Sequence, residues 1–306
     1  MPYIQSSKSS LATPVNIYYE DTGKGKPVIF IHGWPLDSHM WEYQVNELPQ
    51  KGIRCIVYDR RGFGRSDKPL SGYDYDTLAA DLKSVIDELN LENVVLVGFS
   101  MGGGEVARYI GRYGTEKIEK VVLISSVTPY MLQQDDNPDG IPQHQFDEFE
   151  KQIRDDRPAF MAGFNKTFYG VGFLNKPVSQ AFLDWNQALV MQGSPRATLE
   201  CMKSYSTTDF RMDLPKINVN TLIIHGDNDK TVPIDLTARK AAKQIPGAEL
   251  KIYAGEPHGI FYTQKNSLNQ NLIDFIFDRR ENYPAEETEL ENPLENPLRF
   301  PNPGLI

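Results

Sequence analysis

The stretch Val94-Val95-Leu96-Val97-Gly98-Phe99-Ser100-Met101-Gly102-Gly103-Gly104 constrains the fold of this chain more than any other. An apolar run suited to a buried strand passes directly into a serine flanked by glycines, and a helical pattern follows over 105–113. A serine on so sharp a strand-to-helix turn needs glycine on both sides, because a Cβ there crowds the turn. The turn lifts the hydroxyl out of the sheet. The helix behind it aims its N-terminal amides and positive dipole end at negative charge developing beside the serine. The pattern G-x-S-x-G alone arises by chance; set between strand and helix, it marks Ser100 as a nucleophile.

The remaining chain supplies the sheet that such a turn requires. Strand-like runs occupy 15–20, 28–32, 53–59, 94–99, 121–125, 219–225 and 249–253, with helical stretches at 75–89, 102–113, 236–244 and 268–279. Continuous apolar strands separated by helices predict an α/β fold with a mostly parallel sheet covered on both faces. Residues 128–214 break the alternation with helix-like stretches rich in Phe146, Phe149, Phe160, Phe164, Phe168 and Tyr169. An insertion of that length between core strands predicts a helical cap dividing a core of residues 1–127 and 215–280.

Residues 281–306 differ again, with six acids, one Arg and five prolines, an acidic Pro-rich tail that cannot prolong the helix before it. It reads either as an uncoupled extension or as an arm that docks Leu294, Leu298, Phe300, Leu305 and Ile306 on a neighbouring copy. A net charge of −9 without a basic stripe argues against a nucleic-acid partner. No apolar run reaches membrane-spanning length, and the first residues lack a signal-peptide pattern, so no membrane association and a cytoplasmic location are expected. Cys55 and Cys201 cannot build a disulfide framework.

A serine hydroxyl needs a base to take its proton. Of five histidines, His258 lies in the loop Gly255-Glu256-Pro257-His258-Gly259 just past the last strand-like run, at the carboxyl edge of a parallel sheet where ligands bind. His39 and His144 read as surface residues, and His32 and His225 as residues that pack or hydrogen-bond at strand ends. The base needs a carboxylate in turn, and two compete in His225-Gly226-Asp227-Asn228-Asp229. Two backbone N–H groups should stabilise the oxyanion: that of Met101, and that of Trp34 in His32-Gly33-Trp34-Pro35. In the loop 59–67, Arg60, Arg61, Arg65 and Asp67 read as a structural salt-bridged turn rather than an anion site.

These motifs together resemble one family. His32-Gly33-Trp34-Pro35, Tyr58-Asp59-Arg60-Arg61-Gly62-Phe63-Gly64-Arg65-Ser66-Asp67, Gly98-Phe99-Ser100-Met101-Gly102, Gly226-Asp227-Asn228-Asp229 and Pro257-His258-Gly259 look like the cofactor-free haloperoxidase and aryl esterase branch of the α/β hydrolases. The similarity runs from about residue 15 to 278. It implies the α/β-hydrolase fold, with an eight-stranded, mostly parallel sheet and the cap after the sixth strand. It also implies that the acid is the second Asp of the motif, Asp229, beside Ser100 and His258.

The implied activity is hydrolysis of small carboxylic esters through an acyl-serine. Hydrogen peroxide replaces water in a second, perhydrolase reaction favoured by Pro35. No haem, vanadium, other metal or cofactor is implied, and no cluster of His, Cys and Asp has metal-ligand spacing. The family implies a homo-oligomer, and residues 281–306 depart from it, since members usually stop soon after the final helix. The expected acyl pocket is small, walled by Trp34, Met131, Phe146, Phe164, Val232 and Ile260. A lactonase or C–C bond hydrolase would keep the same triad, whereas dehalogenases and epoxide hydrolases carry Asp where this chain has Ser100. A non-catalytic small-molecule receptor on this fold usually loses or slows the triad, which is intact here.

Overall fold

The computed structural model describes residues 2–6 and 14–279. The tail 281–306 lies outside them. In chain order, β1 (Tyr3–Ser6), β2 (Val15–Thr22) and β3 (Lys26–Ile31) lead to helix α1 (Glu42–Glu47) and β4 (Ile53–Tyr58). Then come α2 (Tyr75–Glu88), β5 (Val94–Phe99), α3 (Met101–Tyr113) and β6 (Ile118–Ile124). Between β6 and β7 (Asn220–Gly226) lie α4 (Gln143–Phe168), α5 (Gln180–Gln192) and α6 (Pro195–Thr207). The chain finishes with α7 (Ala238–Gln244), β8 (Glu249–Tyr253), α8 (Ile260–Thr263) and α9 (Lys265–Ile276).

The strands form one eight-stranded sheet in the order β1-β2-β4-β3-β5-β6-β7-β8. Every pairing from β4 across to β8 is parallel, and only the β1–β2–β4 edge is antiparallel. All six residues of β5 are buried, as a strand covered on both faces requires. From β3 the chain moves outward to β4 and then returns to place β5 on the other flank of β3. The carboxyl ends of β3 and β5 therefore open on the crevice created where the winding reverses. The segments leaving those ends are the His32–Pro35 turn and the Ser100 turn.

The short β1 escapes a reading based on apolar runs, because its pairing with β2 (Tyr3 opposite Tyr18) and not its own pattern makes it a strand. α9 starts and stops three residues earlier than the periodicity predicts. Its end is set by Lys120, whose Nζ donates to the carbonyls of Phe275 and Ile276 at 2.8 and 3.1 Å. Asp278 just beyond takes a left-handed φ of 53°. α4 is broken at Asp156 (φ −154°, ψ 83°), whose side chain accepts the Ala159 N–H at 3.0 Å and starts a second helical run with Pro158 in its first turn.

The loop 59–67 is structural, as its charges predict. Arg61 meets Asp81 through two 2.6 Å hydrogen bonds, and Arg60 meets Glu105 at 2.9 Å, all four buried. Arg65 lies over the Tyr18 ring, and Asp67 accepts from Asn16. Cys55 and Cys201 are buried apart from any disulfide, and burial pushes both thiols up to about 12. Among the described residues no helix is long and apolar enough to cross a membrane.

Candidate active site

Ser100 sits at the N-cap position of α3 with φ 52° and ψ −117°, a conformation that side chains rarely adopt. A serine in that place ordinarily caps the helix with its hydroxyl. Here no side-chain cap forms, and Ser100 Oγ instead lies 3.0 Å from His258 Nε2. The backbone around it is tightly held: Ser100 N–H donates to Ile124 O at 2.8 Å, and Ser100 O accepts from Gly103 N–H at 3.0 Å. A Cβ on Gly98 would lie 2.6 Å from the Gly102 carbonyl oxygen, and one on Gly102 would overlap that of Ile31. Those two contacts are the physical content of the G-x-S-x-G spacing.

His258 follows β8 and is fully buried, its ring between Phe99 (centroids 4.9 Å apart) and Phe168 (4.7 Å, edge on). Its Nδ1 lies 2.6 Å from Asp229 Oδ2. The other carboxylate oxygen accepts the N–H groups of Thr231 at 2.8 Å and Val232 at 2.7 Å. Burial disfavours the charged form of Asp229. The charge of His258 and hydrogen bonds from His225 and His258 outweigh it and hold the carboxyl well below the usual range. Asp227 is exposed and its Oδ1 accepts the Gly255 N–H at 2.6 Å, so it braces the β7 and β8 loops against each other.

In the turn after β3, Gly33 N–H points to Met40 Sδ at 3.4 Å and Gly33 O accepts from Leu36 N–H at 3.1 Å. A Cβ on Gly33 would lie 2.6 Å from the Phe99 ring and 3.1 Å from Ser100 Cβ, so only glycine lets this turn approach the serine. Trp34 is held through its indole N–H, which donates to Thr198 O at 2.9 Å. Met101 opens α3, where a backbone N–H has no partner within the helix. His32 fixes the start of the turn: Arg60 N–H donates to its Nε2 at 2.8 Å, so Nδ1 carries the proton towards Gly33 O at 2.9 Å. Burial first, then the Arg60 charge, hold His32 well below its usual pKa and neutral.

Ser100 opens on a cavity of about 560 Å³. Trp34, Met131, Phe146, Phe164 and Val232 line it, as the sequence predicts. Ile260 does not. It is fully buried at the start of α8, with its N–H bonded to His258 O, and packs in the core behind the histidine. The cavity is also not small: its volume suits a drug-sized ligand, because α4 contributes Phe149, Phe160, Gln145 and Gln152 as well. The aromatic character of the wall and the rings of Trp34, Phe146 and Phe164 were readable in the sequence; the inward-facing rings of Phe149 and Phe160 were not. His39 is half-buried rather than solvated, bonded to Asp37 and Arg65, while His144 is exposed. Two residues that pure pattern reading misses, Phe168 and His225, touch His258 and Asp229 respectively. Among the described residues no group of three His, Cys, Asp or Glu side chains is arranged to hold a metal ion.

A parallel sheet with a hydrogen-bonded serine, histidine and carboxylate beyond its carboxyl edge defines a class, the α/β hydrolases. The chain matches the α/β-hydrolase fold family over residues 26–265 and belongs to it, in the haloperoxidase and esterase branch. It is 41% identical over 264 residues to the non-heme chloroperoxidase CPO-A1 of Kitasatospora aureofaciens, covering 86% of this chain and 96% of that one. It is 38% identical over 270 residues to the bifunctional esterase/perhydrolase DCH of Acinetobacter calcoaceticus, again covering 86% and 96%. The crystal structure of a bromoperoxidase from Bacillus anthracis superposes with a TM-score of 0.86 at 45% identity, covering 90% of this chain and 99% of that one.

Proposed function

We propose that this protein is a serine carboxylesterase working through an acyl-serine, with hydrogen peroxide as an alternative acyl acceptor. One observation carries the reading: Ser100 Oγ, His258 and Asp229 form a continuous hydrogen-bonded series whose serine end opens on the aromatic cavity. His258 Nε2 takes the Ser100 proton as Oγ bonds to the ester carbonyl carbon. Trp34 and Met101 N–H donate to the oxyanion, and α3 adds its positive end. Collapse breaks the bond to the alkoxy group, which leaves with the proton from His258. Water, deprotonated by His258, then attacks the acyl carbon and releases acid and free serine. When hydrogen peroxide attacks instead, the product is a peracid, and the chemistry otherwise balances in the same way.

The names of relatives at 38–41% identity, chloroperoxidase and esterase/perhydrolase, support both acceptors. Ser100→Ala tests the reading. We expect release of p-nitrophenol from its acetate ester, and peracid formation from acetate and peroxide, to fall together by at least about 10⁴-fold. If only one of the two activities falls, the shared acyl-serine is wrong. A panel of aryl esters, alkyl esters and lactones assayed on the wild type then ranks the substrates.

A further inference from the structure

His225 ends one residue short of the end of β7, four residues before Asp229, and is fully buried. Its Nε2 lies 2.8 Å from Val232 O and 3.2 Å from Asp229 Oδ2. Both neighbours are acceptors, so Nε2 carries a proton. Its Nδ1 is buried and meets no hydrogen-bond partner. The two acceptors thus place a ring hydrogen on Nε2. Nothing in the acyl-transfer scheme above uses this residue.

The oxygen that His225 faces is the one that accepts from His258 Nδ1 at 2.6 Å. We infer that His225 is a positioning residue for the reaction, its Nε2–H holding Asp229 Oδ2 in the single orientation that serves His258. The inference rests on the acyl-serine reading. With the N–H groups of Thr231 and Val232 on Oδ1 and His258 on Oδ2, the carboxylate accepts three hydrogen bonds, and the His225 N–H that is bonded to Val232 O stands beside Oδ2, its Nε2 3.2 Å away. Each donor favours the carboxylate anion over the neutral acid, so the proton taken from Ser100 stays on His258, where the leaving alcohol needs it. The link to Val232 O adds a second effect. Val232 borders the cavity, so one imidazole ties the acid of the triad to a wall of the substrate site.

His225→Phe keeps the ring and removes the N–H; His225→Gln can return an amide N–H to the Nε2 position. We expect H225F to lower kcat on p-nitrophenyl acetate about 10- to 100-fold, the weight of one hydrogen bond to a charged group, without raising KM. H225Q should recover most of that loss. In wild-type enzyme labelled with ¹⁵N-histidine, the His225 signals should show a ring hydrogen on Nε2. Undiminished kcat in H225F, equal losses in both variants, a change confined to KM, or a His225 without hydrogen on Nε2 would each overturn the inference. Should H225F not fold, the wild-type tautomer and the kcat of H225Q decide. His258→Ala separates the two levels. If it stays active, the acyl-serine reading fails; if it is inactive while H225F is fully active, only the role of His225 fails.

Discussion

Ser100 occupies a backbone conformation that costs about 1–3 kcal/mol, and the surrounding hydrogen bonds of its N–H and carbonyl hold it there. The strain turns its hydroxyl away from the helix it would otherwise cap and towards His258. At Asp227 and Asp229 the chemistry of the side chain is identical and only the surroundings differ. One is exposed and braces two loops through Gly255; the other is buried and accepts three hydrogen bonds, with His225 Nε2 a further 3.2 Å from Oδ2. Asp229→Asn should therefore lower kcat by about 10⁴-fold, since an amide cannot hold His258 in the working tautomer. Asp227→Asn should leave kcat within about tenfold of wild type, as the amide oxygen can still accept the Gly255 N–H and only the charge of an exposed group is lost. Steady-state kinetics on p-nitrophenyl acetate checks both, and the reverse ranking would assign the acid to Asp227. Local sequence could not separate the two, because the choice depends on which residue the β7 loop turns inward.

At the scale of elements, the β5–turn–α3 unit is the part most legible in the sequence, because every requirement is local. Its glycines are needed where another backbone comes close. A methyl on Gly102 would overlap Ile31 O and stand 3.0 Å from His32 O, and neither carbonyl can move without disturbing the β3 end. Gly102→Ala should destabilise the fold by about 1–3 kcal/mol, read from the denaturant midpoint, and lower kcat by shifting the Trp34 turn relative to Ser100. Wild-type stability and kcat in that variant would show the contact to be tolerant. α4 is the opposite case. Its aromatics stand out in the sequence, yet the break at Asp156 sends Phe149 and Phe160 to the same cavity from two separately directed segments. Periodicity marks helix-like stretches there without fixing their directions, so the expected wall lacks Phe149 and Phe160 and is too small; Ile260, in α8, was misplaced because its packing into the core depends on distant contacts.

The whole molecule places its chemistry where the winding of the sheet reverses, with the turns after β3, β5, β7 and β8 meeting over one crevice. Among the described residues, those bordering the cavity lie between Trp34 and Val232, and the last member of the hydrogen-bonded series is His258. If residues 281–306 are an uncoupled extension, removing them leaves kcat and KM unchanged. Comparing the mass of the full-length and shortened particles distinguishes an assembly arm, which would shift the oligomer, from an uncoupled extension, which would not. A loss of kcat in the shortened chain would mean that those residues reach the site.

What the sequence determined by itself were the features that depend on neighbours along the chain. Among them are the buried central strands, the glycine-flanked serine turn, the histidine past β8 and the aromatic richness of residues 128–214. Each follows from short-range sterics or from apolar periodicity, both of which are written in consecutive residues. Tertiary structure alone decided the rest. It buried Asp229 against His258 and left Asp227 exposed, a difference that only the resemblance to a family had indicated beforehand, enclosed His258 between Phe99 and Phe168, and turned Ile260 into the core. It also set His225 against the oxygen that His258 uses. These are contacts between residues far apart in the chain, or choices among chemically equivalent neighbours. Their energies come from which groups lose water together, and no run of residues carries that information alone.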